Sequence, residues 1–123
     1  MDRIPAERRG HPRTESILPL KISKRGLDVI TKTRNISCSG IYCCVNKPLP
    51  LMSKIGVTLL LPVYRRSRTG TERIRCNGVV VRSEPAIVKE ADTAYQNVAI
   101  FFTDLSRKDK NRIGQYVLRS FMV

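Results

Sequence analysis

The chain has 123 residues, enough for one domain with a single buried core. Its 23 Lys plus Arg against 10 Asp plus Glu leave a formal charge of +13, a field that attracts nucleic acid, anionic membrane or a phosphate-bearing ligand without choosing among them. No apolar run approaches the roughly 20 residues of a bilayer-spanning helix, and Met1-Asp2-Arg3-Ile4-Pro5 lacks the apolar stretch of a secretory signal, so the expected location is cytoplasmic.

Residues 1–14 are polar, charged and broken by Pro5, Gly10 and Pro12, which suits a flexible arm rather than core; residues 15–123 form the expected domain. Residues 16–22 read as a strand in which Pro19, lacking a donor, calls for an edge or a bulge. Arg25-Gly26 marks a turn, residues 27–34 the returning strand, 35–40 a tight connection, and 41–45 a third strand. Pro48 and Pro50 punctuate a loop before an apolar strand over 57–61 that Pro62 is expected to end. The basic stretch 65–70 reads as an exposed hairpin loop. In the β-rich segment 73–82, Ile74 and Cys76 share one face, Arg73 and Arg75 the other, and Gly78 is a candidate bulge. After a polar loop over 85–93, Val98, Ile100 and Phe102 alternate as in a sixth strand.

The period then changes. Ser106 and Asp109 resemble a capping box, and Ile113, Val117 and Phe121 recur every four residues, joined by Tyr116, on one face of a closing helix that Gly114 weakens by about 1 kcal/mol. Six strands followed by one short C-terminal helix predict a mainly β protein, a six-stranded antiparallel barrel with the helix against one opening.

Two short patterns carry the chemistry. Arg9-x-x-x-Arg13 lies in the arm, preceded by Arg8; Asn35-x-Ser37-x-x-Gly40 lies between hydrophobic runs. An arginine is planar, permanently charged and forked, able to grip phosphate, bond the O6/N7 edge of guanine or stack on its face. Asn35 can donate and accept, Ser37 offers a hydroxyl, and Gly40 permits an approach that a Cβ would block. In this order the two halves resemble the bipartite signature of the PilZ domain family, receptors for the bacterial second messenger cyclic di-GMP, and the resemblance extends over nearly the whole chain to Phe102-Thr103-Asp104-Leu105-Ser106. It implies a six-stranded PilZ-like β-barrel. It also implies that Arg9 and Arg13 close over the dinucleotide while Asn35, Ser37 and Gly40 receive it. Arg8, just before the arm motif, is implicated in holding a second, stacked ligand. One departure is Ala99, where the family often has glycine.

Taken singly, an arginine-rich terminus is an ordinary solvated tail and Asn-x-Ser-x-x-Gly an ordinary turn sequence; their conjunction decides. The cluster over 65–75 is assigned to a solvated loop or a surface for an unknown partner, His11 to a bystander, and Tyr42, Tyr64, Tyr95 and Tyr116 to packing. With one histidine, no Cys-x-x-Cys and no carboxylate cluster, neither a metal site nor a resident cofactor is expected, and Cys38, Cys43, Cys44 and Cys76 read as reduced, structural thiols. The function expected is that of a non-enzymatic receptor, binding cyclic di-GMP and switching its surface toward a downstream protein. The alternatives are a basic β-barrel for nucleic acid, disfavoured by an aromatic content of 6% without Trp, and a ligand-independent adaptor of PilZ type. A phosphodiesterase lacks the metal ligands or base it would need.

Overall fold

A computed structural model describes residues 14–65, 68–86 and 95–121. The elements in chain order are β1 (Thr14–Glu15), β2 (Pro19–Lys24), β3 (Leu27–Ile36), β4 (Gly40–Val45), β5 (Lys54–Arg65), β6 (Arg68–Ala86), β7 (Tyr95–Phe102) and α1 (Arg107–Phe121). The six expected strands are β2 to β7, and the two-residue β1 adds a rung beside β3. All pairings are antiparallel. They run β3-β2-β5-β6-β7-β4, and a further β3–β4 ladder links the two ends of that series.

The alternation of side chains builds the core. Leu20 and Ile22 of β2, Val29 of β3, Leu59 and Leu61 of β5, Ile74 and Val80 of β6, and Val98 and Ile100 of β7 are buried, together with Ile113 and Val117 of α1. The helix begins with the expected cap: the Asp109 N–H donates to Ser106 Oγ at 3.1 Å. The Asp109 carboxylate turns to Arg112 at 3.2 Å, and Arg112 also reaches Glu72 of β6 at 3.7 Å, which ties helix to sheet. Arg119 lies 3.9 Å above the Tyr64 ring, a second tie at the far end of β5. The side chain of Phe121, expected on the buried helical face, is outside the described residues.

Several expectations shift. Pro19 opens β2 rather than interrupting it, the position where a missing donor does least harm. Pro62 does not end its strand: β5 runs on to Arg65, paired with β6. The β2 ladder on its other side stops at Leu59, so no hydrogen bond to β2 is forfeited at residue 62. The turn at Arg25-Gly26 is present, with Gly26 at φ 74°. Residues 68–70 of the expected basic loop belong to β6, and the tip at 66–67 lies outside the described residues. The bulge in β6 falls at Val81, where Val80 faces Ile100 and Arg82 faces Ala99, and not at Gly78. Gly78 answers a different need: a Cβ there would stand 2.8 Å from Ile100 Cγ2 and 3.0 Å from the Phe101 carbonyl oxygen.

Candidate functional site

Asn35 was expected in a connection; it is in β3, paired with Glu15 of β1 on one side and Tyr42 of β4 on the other. The connection is shorter than the sequence suggested, Ser37 to Ser39, because β1 and β4 extend the ladder two residues past Arg34. A bulge supports the site. Thr33 faces Cys43 and Asn35 faces Tyr42, so Arg34 is the extra residue on β3. Thr33 and Ile36 are buried while the intervening Arg34 is exposed and Asn35 half-buried. Re-aiming side chains is what a bulge does next to a binding site. Arg34, Asn35 and Tyr42 line an open depression of about 910 Å³ with Ser16 and Ile17.

The segment entering this depression is held firmly. Thr33, buried, accepts the Leu18 N–H at 2.9 Å and donates its hydroxyl to the Ser16 carbonyl at 2.5 Å. The Ser16 N–H donates to the Arg34 carbonyl at 3.1 Å, and the Ser16 hydroxyl meets the Tyr116 hydroxyl of α1. The chain just after residues 1–14 is therefore fixed against β3 and the helix at the rim of the depression. Arg8, Arg9, Arg13 and His11 lie outside the described residues.

Neither Ser37 nor Gly40 lines the depression: Ser37 is buried, and Gly40, half-buried, lies against the β7 backbone. Ser37 is 1% exposed; its Oγ is 2.9 Å from Ser39 Oγ and accepts the Ser39 N–H at 3.2 Å, while its own N–H donates to the Gly40 carbonyl at 2.9 Å. The Phe102 N–H donates to the Ser39 carbonyl at 2.9 Å, and Cys38 Sγ to the Lys110 carbonyl at 3.5 Å. At Gly40 a Cβ would overlap the Ile100 carbonyl oxygen and stand 3.1 Å from the carbonyl carbon. The connection is thus a rigid clasp joining β7 and α1 behind the depression. Gly114 is where the helix comes close, with space for a Cβ at 3.5 Å from Cys38 Sγ.

Two lining residues, Arg34 and Tyr42, were not singled out by the sequence reading. Arg34 adjoins Asn35 in the chain and could have been weighed for that reason. Tyr42 emerges only from the cross-strand register.

The thiols carry no obvious chemistry. Burial pushes those of Cys43 and Cys76 up to about 12 and raises that of Cys38, against the opposing pull of Lys110. All four cysteines are free, and Cys43 and Cys44 point to opposite faces, the first buried and the second half-buried. Among the described residues no three His, Cys, Asp or Glu side chains group as metal ligands, and no helix is long and apolar enough to cross a membrane.

The described residues thus form an antiparallel sheet with a closing helix and an open depression lined by Ser16, Ile17, Arg34, Asn35 and Tyr42. The family model described as PilZ domain matches residues 7–119, and the chain belongs to the PilZ domain family. No curated protein matches it. Among solved structures it is similar to the inhibitor of motility MotI/DgrA of Bacillus subtilis, with TM-score 0.78 and 21% identity over 99% of this chain and 54% of that one. It is also similar to the PilZ domain of YcgR from Escherichia coli, solved with c-di-GMP, with TM-score 0.62 and 11% identity over 94% of this chain and 92% of that one. MrkH of K. pneumonia in its apo state gives TM-score 0.67 and 19% identity over 99% and 53%. The chain thus spans about half the length of MotI/DgrA and MrkH and nearly all of the YcgR PilZ domain.

Proposed function

We propose that this chain is a non-enzymatic receptor for cyclic di-GMP. Arg9 and Arg13 close from the arm over a ledge carrying Asn35, with Ser37 and Gly40 holding that ledge in shape. The observation that carries this is the register of β1. Thr14 pairs with Ile36 and Glu15 with Asn35, so the arm joins the domain beside the second half of the signature, at the rim of an open depression. Membership of the PilZ family and the likeness to the YcgR PilZ domain, itself solved with c-di-GMP, support the same ligand class.

Arg34 adds an exposed guanidinium to the ledge and Tyr42 a ring on which a guanine can stack. Ligand capture orders the arm only if the closed state binds more tightly than the open one, and that difference is what a downstream protein partner would sense. The ring of strand pairings is best read as a barrel with α1 over one opening. The expected setting is cytoplasmic, and no further cofactor is called for. Arg8 is assigned to a second, stacked dinucleotide; one ligand per chain by calorimetry would remove that role.

The test is an amide NMR titration with cyclic di-GMP. Shifts concentrated at Ser16, Ile17, Arg34, Asn35 and Tyr42 are expected. Shifts centred elsewhere, or none at saturating ligand, would refute the site.

A further inference from the structure

We propose that the outer face of β3, β2, β5 and β6, adjoining the depression, is a docking surface for an anionic lipid bilayer. Register defines it. One row across the sheet is Ile30, Lys21, Thr58 and Arg75, each paired with the next. In the adjoining row Lys32 pairs with Pro19, and Leu60 pairs with Arg73. The residues between them in sequence, Leu20, Leu59 and Ile74, are buried and Thr31 is half-buried, while Lys21, Ile30, Lys32, Leu60, Arg73 and Arg75 are exposed, so these two rows face solvent. Strands about 4.8 Å apart put Lys21 and Arg75 about 10 Å from each other, with the second row about 7 Å further along.

Four cations therefore share a small area. Asp28, exposed one row beyond on the same face, pairs with Lys21 at 3.7 Å, and among the described residues of these rows the face stays net positive. Arg73 and Arg75 make no ion pair among the described residues.

The apolar residues choose the partner. Ile30 is 75% exposed between Lys21 and Lys32, and Leu60 is 38% exposed beside Arg73. An isolated exposed aliphatic residue is ordinary. An exposed isoleucine flanked by Lys21 and Lys32 on a face of net positive charge suits a surface with anionic headgroups above an acyl boundary, where cations attract and aliphatic groups insert. Single-stranded nucleic acid would call for aromatic stacking platforms, and neither row carries an aromatic side chain; duplex DNA would engage the cations through phosphates but gain nothing from an exposed Ile30.

The experiment is co-sedimentation of the full chain with phosphatidylcholine/phosphatidylglycerol vesicles, pure phosphatidylcholine vesicles, and in parallel a labelled duplex DNA. Binding to the anionic vesicles alone is expected, weakening with salt. Arg73→Gln with Arg75→Gln should lower the partition about fivefold for each cation removed. Ile30→Ser should lower it several-fold while the melting curve stays that of the wild type. No sedimentation with anionic vesicles, equal binding to neutral ones, or indifference to either substitution overturns the proposal. DNA binding that exceeds vesicle binding and ignores Ile30→Ser overturns it in favour of nucleic acid.

Discussion

Replacing Gly40 by alanine separates packing from ligand access at a signature residue. The added methyl would overlap the Ile100 carbonyl oxygen, and it would stand 3.1 Å from Ile100 C and 3.4 Å from Phe101 Cα. These are backbone atoms of β7 held in the β4 and β6 ladders, so no side-chain rotation can make room. Relief requires opening the Gly40–Phe101 end of the β4–β7 ladder, where the Phe102 N–H also donates to Ser39. Overpacking costs about 1–3 kcal/mol, and one or two weakened hydrogen bonds about 1 kcal/mol each, so a loss of about 3 kcal/mol is expected. At about 4 °C for each kcal/mol in a domain of this size, Tm should fall by about 12 °C. Thermal unfolding followed by circular dichroism reads this directly. A variant that melts within about 2 °C of wild type yet fails to bind cyclic di-GMP would show that Gly40 serves ligand approach, and would refute the packing argument.

Gly114→Ala should have the opposite sign. Its methyl would meet Cys38 Sγ at 3.5 Å, an ordinary contact, and helix propensity favours alanine by about 1 kcal/mol, so Tm should rise by about 4 °C; a fall would mean the seam between helix and clasp has no slack. Asp104 accepts the Asn77 backbone N–H at 2.6 Å and its side-chain amide at 2.7 Å, and these bonds, the backbone one foremost, hold its carboxyl below the ordinary value of 3.8. Because the folded value is the lower, its stabilising effect is complete above about pH 4 and fades as pH falls through the depressed value. Asp104→Asn should therefore flatten the acid limb of a stability–pH profile, and an unchanged limb would remove Asp104 from that role.

What the sequence disclosed was local, and what it concealed depended on partners. The turn at Arg25-Gly26, the alternation of Val98, Ile100 and Phe102, and the Ser106 cap are each written within a few residues, and all three are present. The bulges at Arg34 and Val81 are counts of one strand against another, so no single segment contains them. Pro62 reads as a strand end until β2 is seen to stop short of it. Gly78 reads as a bulge because its closeness to Ile100 and Phe101 arises only on pairing. The same holds for the site. Asn35 was legible from its motif, whereas its neighbour Tyr42 follows from β4 pairing and the fixed entry of the arm from the Thr33 and Tyr116 contacts. Ser37 and Gly40 were legible as signature residues, but the burial of Ser37 and the close approach of Gly40 to the β7 backbone were not, since both arise only once the strands pair.

Titration calorimetry with cyclic di-GMP on the wild type, Arg9→Ala and Arg13→Ala addresses the shared grip of arm and ledge most directly. Wild type should bind with a Kd in the micromolar range or tighter, about −8 kcal/mol, and each substitution should weaken it at least tenfold, about 1.4 kcal/mol. Wild-type affinity retained in both variants would contradict the account.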